Sequence, residues 1–246
     1  MTTTFDGSTA LVTGATSGIG RAVALQLAQQ GAEVIVHGRS ADRGAEVVRE
    51  IEHGGGKARF IAANLADADD VRRLAAEAGP VDILINNAGV YQFGTTVDTG
   101  DAFFDAHINI NLRAPYILVQ RLVPGMAERG YGVVVNLSTV AAALPAKTGG
   151  IYGASKAGVE LLTRVWADEF GRSGVRVNAV QPGPVETPGT DATPGLADAF
   201  AAYTAMGRAA SPDEIANTIT FLASPAASYV NGAILQVTGG QLAIGG

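Results

Sequence analysis

The chain has 246 residues, 47% hydrophobic and 16% charged, with a formal net charge of −6; it suits a large hydrophobic core and disfavours disorder, nucleic acid and anionic membranes as partners. It contains no cysteine, which excludes disulfides, thiolate metal sites and a cysteine nucleophile. Residues 1–10 carry Asp6 and no basic run, and no apolar stretch is long enough to span a bilayer, so neither a secretory leader nor an anchor is expected and a cytoplasmic setting is.

Short apolar, β-branched runs alternate with helical patterns along the chain. Strands are predicted at 10–13, 34–37, 58–62, 83–86, 133–137, 176–180 and 234–237. Their near-continuous apolar character suggests a sheet covered on both faces. Ile19, Val23 and Leu27 recur at i, i+4, i+8 and mark the buried stripe of a first helix. Ser211-Pro212-Asp213-Glu214 is a capping box with proline at the first helical position, so a helix is predicted to start there and run toward Leu222. The βαβα order gives the fold class: α/β, a single-domain Rossmann-type doubly wound parallel sheet of about seven strands with helices on both faces. One stretch, 182–207, is rich in Pro, Gly, Thr and Ala without strong periodicity. It follows a strand at the ligand edge of such a sheet and is read as a substrate loop or lid, covering about 183–210.

Thr13-Gly14-Ala15-Thr16-Ser17-Gly18-Ile19-Gly20 joins the first strand to the first helix. Glycines at 14, 18 and 20 permit a tight turn, and the free N–H groups at a helix start face a pyrophosphate. Further along stand Asn86-Asn87-Ala88-Gly89, Asn111 within Ile110-Asn111-Leu112, Tyr152-Gly153-Ala154-Ser155-Lys156, and Pro182-Gly183-Pro184-Val185-Glu186-Thr187. In this order, and with a tail ending Val237-Thr238-Gly239-Gly240 (Thr where Asp is common), these segments resemble the classical short-chain dehydrogenase/reductase family over nearly the whole chain.

The resemblance implies a hydride-transfer enzyme with a nicotinamide cofactor and a small carbonyl or alcohol substrate, similar to 3-oxoacyl-carrier-protein reductases and related carbonyl reductases. It places Gly14, Thr16, Ser17, Gly18, Ile19 and Gly20 at the phosphates, and Asn64 and Leu65 at the adenine. Asn87, Ala88 and Gly89 come next along the cofactor, and Pro182, Gly183, Val185 and Thr187 lie beside the nicotinamide. NAD enzymes carry an acid at the end of the second strand. Here Gly38 holds that position and Arg39 follows, a planar cation suited to a 2′-phosphate, so the cofactor is read as NADP(H). Asp42 works against a phosphate there and Ser17 stands where many NADP members have a second basic residue, so NAD(H) is the alternative.

Tyr152 and Lys156 are four residues apart and share one helix face. Reducing a ketone takes hydride from one side and a proton from the other, and Tyr152 is the expected acid/base. Bringing a tyrosine from ~10 to ~7 takes about 4 kcal/mol. One cation at ~4 Å with an effective dielectric of ~20 supplies about that much, and Lys156 is the expected source, helped by an oxidised nicotinamide. By resemblance Lys156 also binds the nicotinamide ribose and Asn111 serves a proton relay, its carbonyl holding a water against Lys156. The family's carbonyl-polarising serine corresponds to Thr139, whose χ1 is stiff, with Ser138 as the second choice.

His37, His53 and His107 lack metal-ligand spacing, Asp69-Asp70 and Asp168-Glu169 read as solvated helix faces, and Asn109 as structural. Tyr91 and Phe93 are either pocket-lining residues or loop anchors. The helix with Leu161, Leu162, Val165 and Trp166 is more apolar than one sheet face requires, and the resemblance implies a homotetramer. Small residues and few charges over 189–206 point to a neutral or apolar substrate. The rival functions are an NAD-dependent alcohol or sugar dehydrogenase of the same family and a non-catalytic dinucleotide sensor.

Overall fold

A computed structural model describes residues 4–188 and 196–241. Among them seven strands form one parallel sheet: β1 Thr9–Val12, β2 Glu33–Gly38, β3 Lys57–Ala62, β4 Ile83–Asn86, β5 Gly132–Leu137, β6 Val175–Pro182 and β7 Ile234–Val237. Their order is β3-β2-β1-β4-β5-β6-β7. Two of the predicted strands have the observed bounds, and the others differ by one or two residues at an end.

The apolar runs are continuous because both sheet faces are buried. Along β1, Ala10 and Val12 point to one core and Leu11 to the other. The helices α1 Gly18–Gln29, α2 Ala41–His53 and α8 Pro212–Ala223 supply Val23, Leu27, Val47, Ile51, Ile215 and Ile219 to the first core. The helices α3 Ala68–Ala78, α5 Ala114–Arg129 and α6 Gly150–Gly171 supply Leu74, Leu118 and Trp166 to the second. Two short helices, α4 Asp101–His107 and α7 Leu196–Ala201, complete the set. Between α4 and α5 the chain is π-helical over Ile108–Arg113, the segment that holds Asn111.

The predicted capping box opens α8: Ser211 Oγ accepts from Glu214 N, and the Glu214 carboxylate accepts from Ser211 N at 2.9 Å. The other end is closed by Arg176, whose guanidinium donates to Leu222 O at 2.8 Å and Ser224 O at 3.1 Å. The chain reverses its direction of sheet growth between β1 and β4, and a crevice opens there at the carboxyl ends of the strands. No helix among the described residues is long and apolar enough to cross a membrane.

Candidate active site

The turn after β1 and the loop after β4 are stitched together. Gly14 has φ +66°, and a Cβ on Gly20 would stand 2.3 Å from both Asn87 Nδ2 and Gly14 O, so neither position tolerates a side chain. Asn87 Nδ2 donates to Thr13 O at 2.8 Å and Gly14 O at 3.2 Å. Thr13 Oγ1 in turn accepts the N–H groups of Asn87 and Ala88 at 3.0 and 3.1 Å. The result is a bare backbone cradle at the mouth of α1, of the shape a pyrophosphate requires. It is one wall of a cleft of about 620 Å³.

Every residue assigned above to the cofactor lines this cleft, as do Thr139, Tyr152, Lys156, Tyr91 and Phe93. Asn111 does not line it. Its side chain instead ties the loop after β4 to α6: Oδ1 accepts from Val90 N at 2.8 Å, and Nδ2 donates to Val90 O at 2.9 Å and Ser155 Oγ at 3.1 Å.

At the β2 end of the cleft the structure adds residues that local spacing did not single out. Arg43, in the first turn of α2, lines the cleft together with Arg39, and among the described residues neither guanidinium is held in an ion pair. Asp42 is not part of the lining. Asp70 is not simply a solvated helix residue: it accepts from Asn64 N and pairs with Arg73, fixing the loop after β3. Asn64 Oδ1 accepts from Ala66 N at 3.1 Å, so one of its two acceptor sites is already used.

His37 is buried under the same end. Its Nδ1 accepts from Gly14 N at 3.2 Å and its Nε2 faces Ala63 O at 3.2 Å, which fixes the Nε2–H tautomer and joins the phosphate turn to the loop after β3. Burial lowers its pKa from 6.5 to about 4. The unfolded chain therefore binds the extra proton first, and stability falls as pH drops from 6.5 to about 4, by about 3 kcal/mol in all. Urea unfolding across this range should show that slope reduced in His37→Gln relative to the unchanged chain. Equal slopes would refute the assignment.

The chemical end is built on α6. Tyr152 lies in its first turn and Lys156 one turn on. The Tyr152 hydroxyl stands close enough to the Thr139 side chain to be influenced by it, and its ring sits edge-on to Phe93 at 5.9 Å and to His107 at 6.2 Å. Lys156 Nζ donates to Leu137 O at 2.7 Å and would lie 3.3 Å from a Cβ on Gly89. One expectation is corrected here. Tyr152 is not lowered by Lys156. Burial dominates and raises its pKa, against an opposing pull from the Thr139 side chain. Burial likewise lowers Lys156 to about 8, so the amine is a weaker cation than the spacing alone suggests.

Ser138 and Thr139 point to different partners. Ser138 Oγ is buried and donates to Glu160 Oε1 at 2.6 Å, whereas Thr139 reaches Tyr152 and accepts from Ala141 N at 3.4 Å. The loop after β6 is pinned where it is described: Val185 bridges Ala210, and Glu186 N donates to Ala210 O at 2.9 Å. Residues 189–195 of the expected lid lie outside the described residues.

The sequence profile of the family described as "Enoyl-(Acyl carrier protein) reductase" matches residues 14–241. The 3-oxoacyl-[acyl-carrier-protein] reductase FabG of Thermotoga maritima is 38% identical over 96% of this chain and 98% of that protein. A solved structure of a short chain dehydrogenase/reductase family protein is 48% identical, with TM-score 0.91, over 96% of this chain and 98% of that one. The structure of 3-oxoacyl (acyl-carrier-protein) reductase from Agrobacterium tumefaciens C58 with NADP bound is 32% identical, with TM-score 0.92, over 97% and 96%. With the strand order, the stitched glycine turn and the Tyr152–Lys156 pair on α6, these matches establish that the chain belongs to the short-chain dehydrogenase/reductase family of oxidoreductases.

Proposed function

We propose that the protein is an NADPH-dependent carbonyl reductase of the 3-oxoacyl type. The observation that carries this reading is one cleft with the neighbouring Thr139 and Tyr152 hydroxyls and Lys156 at one end and Arg39 with Arg43 at the other. Two guanidiniums, with no carboxylate lining the cleft among the described residues, suit a 2′-phosphate better than a free ribose hydroxyl. The NADP carried by the Agrobacterium relative and the reductase name of the Thermotoga relative agree with it.

The bare cradle at Gly14, Thr16, Ser17, Gly18, Ile19 and Gly20 takes the pyrophosphate, and Asn64 and Leu65 border the adenine. Asn87, Ala88 and Gly89 floor the middle of the cleft, while Pro182, Gly183, Val185 and Thr187 flank the nicotinamide. When bound, the nicotinamide supplies the hydride. Tyr152 holds the proton for the substrate oxygen, and its raised pKa keeps it protonated at neutral pH, as reduction requires. Thr139 donates to the same oxygen, and Lys156 holds the ribose hydroxyls. Asn111 fixes the loop against which Lys156 stands and gives the proton relay its place. Gly183, Val185, Thr187 and Phe200, from the described flanks of the expected substrate loop, border the substrate end of the cleft.

We also propose a cytoplasmic homotetramer. Leu161 and Val165 stand out of α6 with 61% and 46% exposure, and Tyr116 out of α5 with 48%, an apolar face that a second copy would cover. Light scattering after size exclusion should give four chains; a monomer refutes this part.

The experiment for the function is turnover of a ketone panel, 3-oxoacyl thioesters included, with NADPH and with NADH. Consumption of NADPH with one substrate group is expected. Arg39→Ala and Arg43→Ala should each weaken NADPH about tenfold, the loss of a charge-assisted hydrogen bond of roughly 1.5 kcal/mol, while NADH stays within about twofold. NADH binding as tight as NADPH would turn the reading to an NAD-dependent dehydrogenase. NADPH binding without turnover in either direction would favour a dinucleotide sensor.

A further inference from the structure

We propose that Glu160 is a positioning residue for the Thr139 hydroxyl, acting through a buried link to Ser138 and Gln181. Glu160 lies one turn beyond Lys156 on α6, 8% exposed, and takes no part in the chemistry described so far. Its Oε1 accepts from Ser138 Oγ at 2.6 Å and from Gln181 Nε2 at 2.8 Å. Both partners are 2% exposed. Among the described residues no cation pairs with it. An acid side chain buried this far costs free energy unless it is hydrogen-bonded, and an aliphatic residue would fill the same space at no such cost. Its presence is therefore best accounted for by what it holds.

What it holds is the carboxyl end of two neighbouring strands. Ser138 directly precedes Thr139, and its N–H continues the β5–β6 ladder to Val180 O at 2.8 Å. Gln181 directly precedes Pro182 and Gly183 in the cleft wall. Lys156, on the preceding turn of α6, grips Leu137 O at 2.7 Å. Two successive turns of one helix thus clamp two successive residues, Leu137 and Ser138. Thr139 leaves this clamp in extended conformation, φ −165° and ψ 155°. A stiff β-branched side chain has its oxygen aimed by its backbone, so fixing Ser138 fixes the aim of Thr139. The inference rests on the reading of Thr139 as the carbonyl-polarising donor.

The test is a double-mutant cycle in kcat for carbonyl reduction with NADPH. Glu160→Gln keeps an oxygen able to accept both hydrogen bonds and should stay within about threefold of the parent. Glu160→Leu removes the link and should lose ~10- to 10²-fold, the scale of an ångström of misplacement, with circular dichroism unchanged. In a Thr139→Ala background the same Glu160→Leu change should cost less than about threefold, because there is no hydroxyl left to aim. If Glu160→Leu does not fold, Ser138→Ala carries the cycle, since it cuts the link without touching α6. A folded Glu160→Leu or Ser138→Ala with kcat within twofold overturns the proposal. So does an equal loss with and without the Thr139 hydroxyl, the mark of a merely structural residue. Full turnover by Thr139→Ala alone would instead remove the reading on which the inference stands.

Discussion

Tyr152→Phe is expected to lower kcat for ketone reduction by ~10²–10⁴ while leaving the Kd for NADPH within about threefold. The argument is geometric before it is electrostatic. Phenylalanine keeps the ring against Phe93 and His107 and loses only the hydroxyl beside Thr139. The variant should therefore fold like its parent, and its loss should fall on the chemical step and not on binding. Steady-state kinetics with a fluorescence titration of NADPH checks both halves; a kcat within tenfold of the parent would exclude Tyr152 as the acid.

The same residue sets the sign of the pH profile. Burial raises Tyr152, so the phenol is protonated at neutral pH and reduction should run flat with pH until that group ionises. Alcohol oxidation needs the phenolate and should rise about tenfold per pH unit below the Tyr152 pKa. Lys156 loses its charge through about pH 8, and with it the charge-assisted hold on the nicotinamide ribose, so the oxidation profile should bend over above that point. An oxidation rate independent of pH between 6 and 8 would contradict the assignment.

The correction at Tyr152 shows which parts of this site a sequence can carry. Spacing along one element is legible: Tyr152 and Lys156 on one helix face, Ser211 with Glu214 at a helix start, the apolar runs at 83–86 and 234–237 with their observed ends. So is the chain order of the loops that follow successive parallel strands, because all of them end at one edge of the sheet. What was not legible depends on contacts between elements. His37 reads as an isolated histidine until β2 is laid beside β1 and its ring meets Gly14 N. Arg43 is a surface cation until α2 starts beside the cleft, and Glu160 an ordinary helix residue until α6 crosses the ends of β5 and β6. Ionisation is the extreme case. A cation four residues away can be read from spacing, but the desolvation that sets the direction of both shifts is a property of the whole fold.

The second large effect is expected at Thr139. Thr139→Ala should reduce kcat by ~10²–10³, or about 3–4 kcal/mol of transition-state stabilisation, the usual cost of losing one donor to a developing oxyanion. The neighbouring hydroxyl cannot substitute for it, because the Ser138 proton is given to Glu160 inside the protein. Thr139 is placed differently. One acceptor site faces Ala141 N at 3.4 Å and the hydroxyl stands beside Tyr152 in the same cleft, so both groups that act on the substrate oxygen are neighbours. Thr139→Ser keeps the hydroxyl but frees χ1, and should fall only a few-fold, with the loss in kcat and not in the Kd for NADPH. The three variants are ranked by one number each, kcat with a fixed ketone: Thr139→Ser above Ser138→Ala, and Ser138→Ala above Thr139→Ala. If Ser138→Ala proves the most damaging and Thr139→Ala stays near the parent, the polarising donor is Ser138, and the bond from Ser138 to Glu160 would have to break during each turnover.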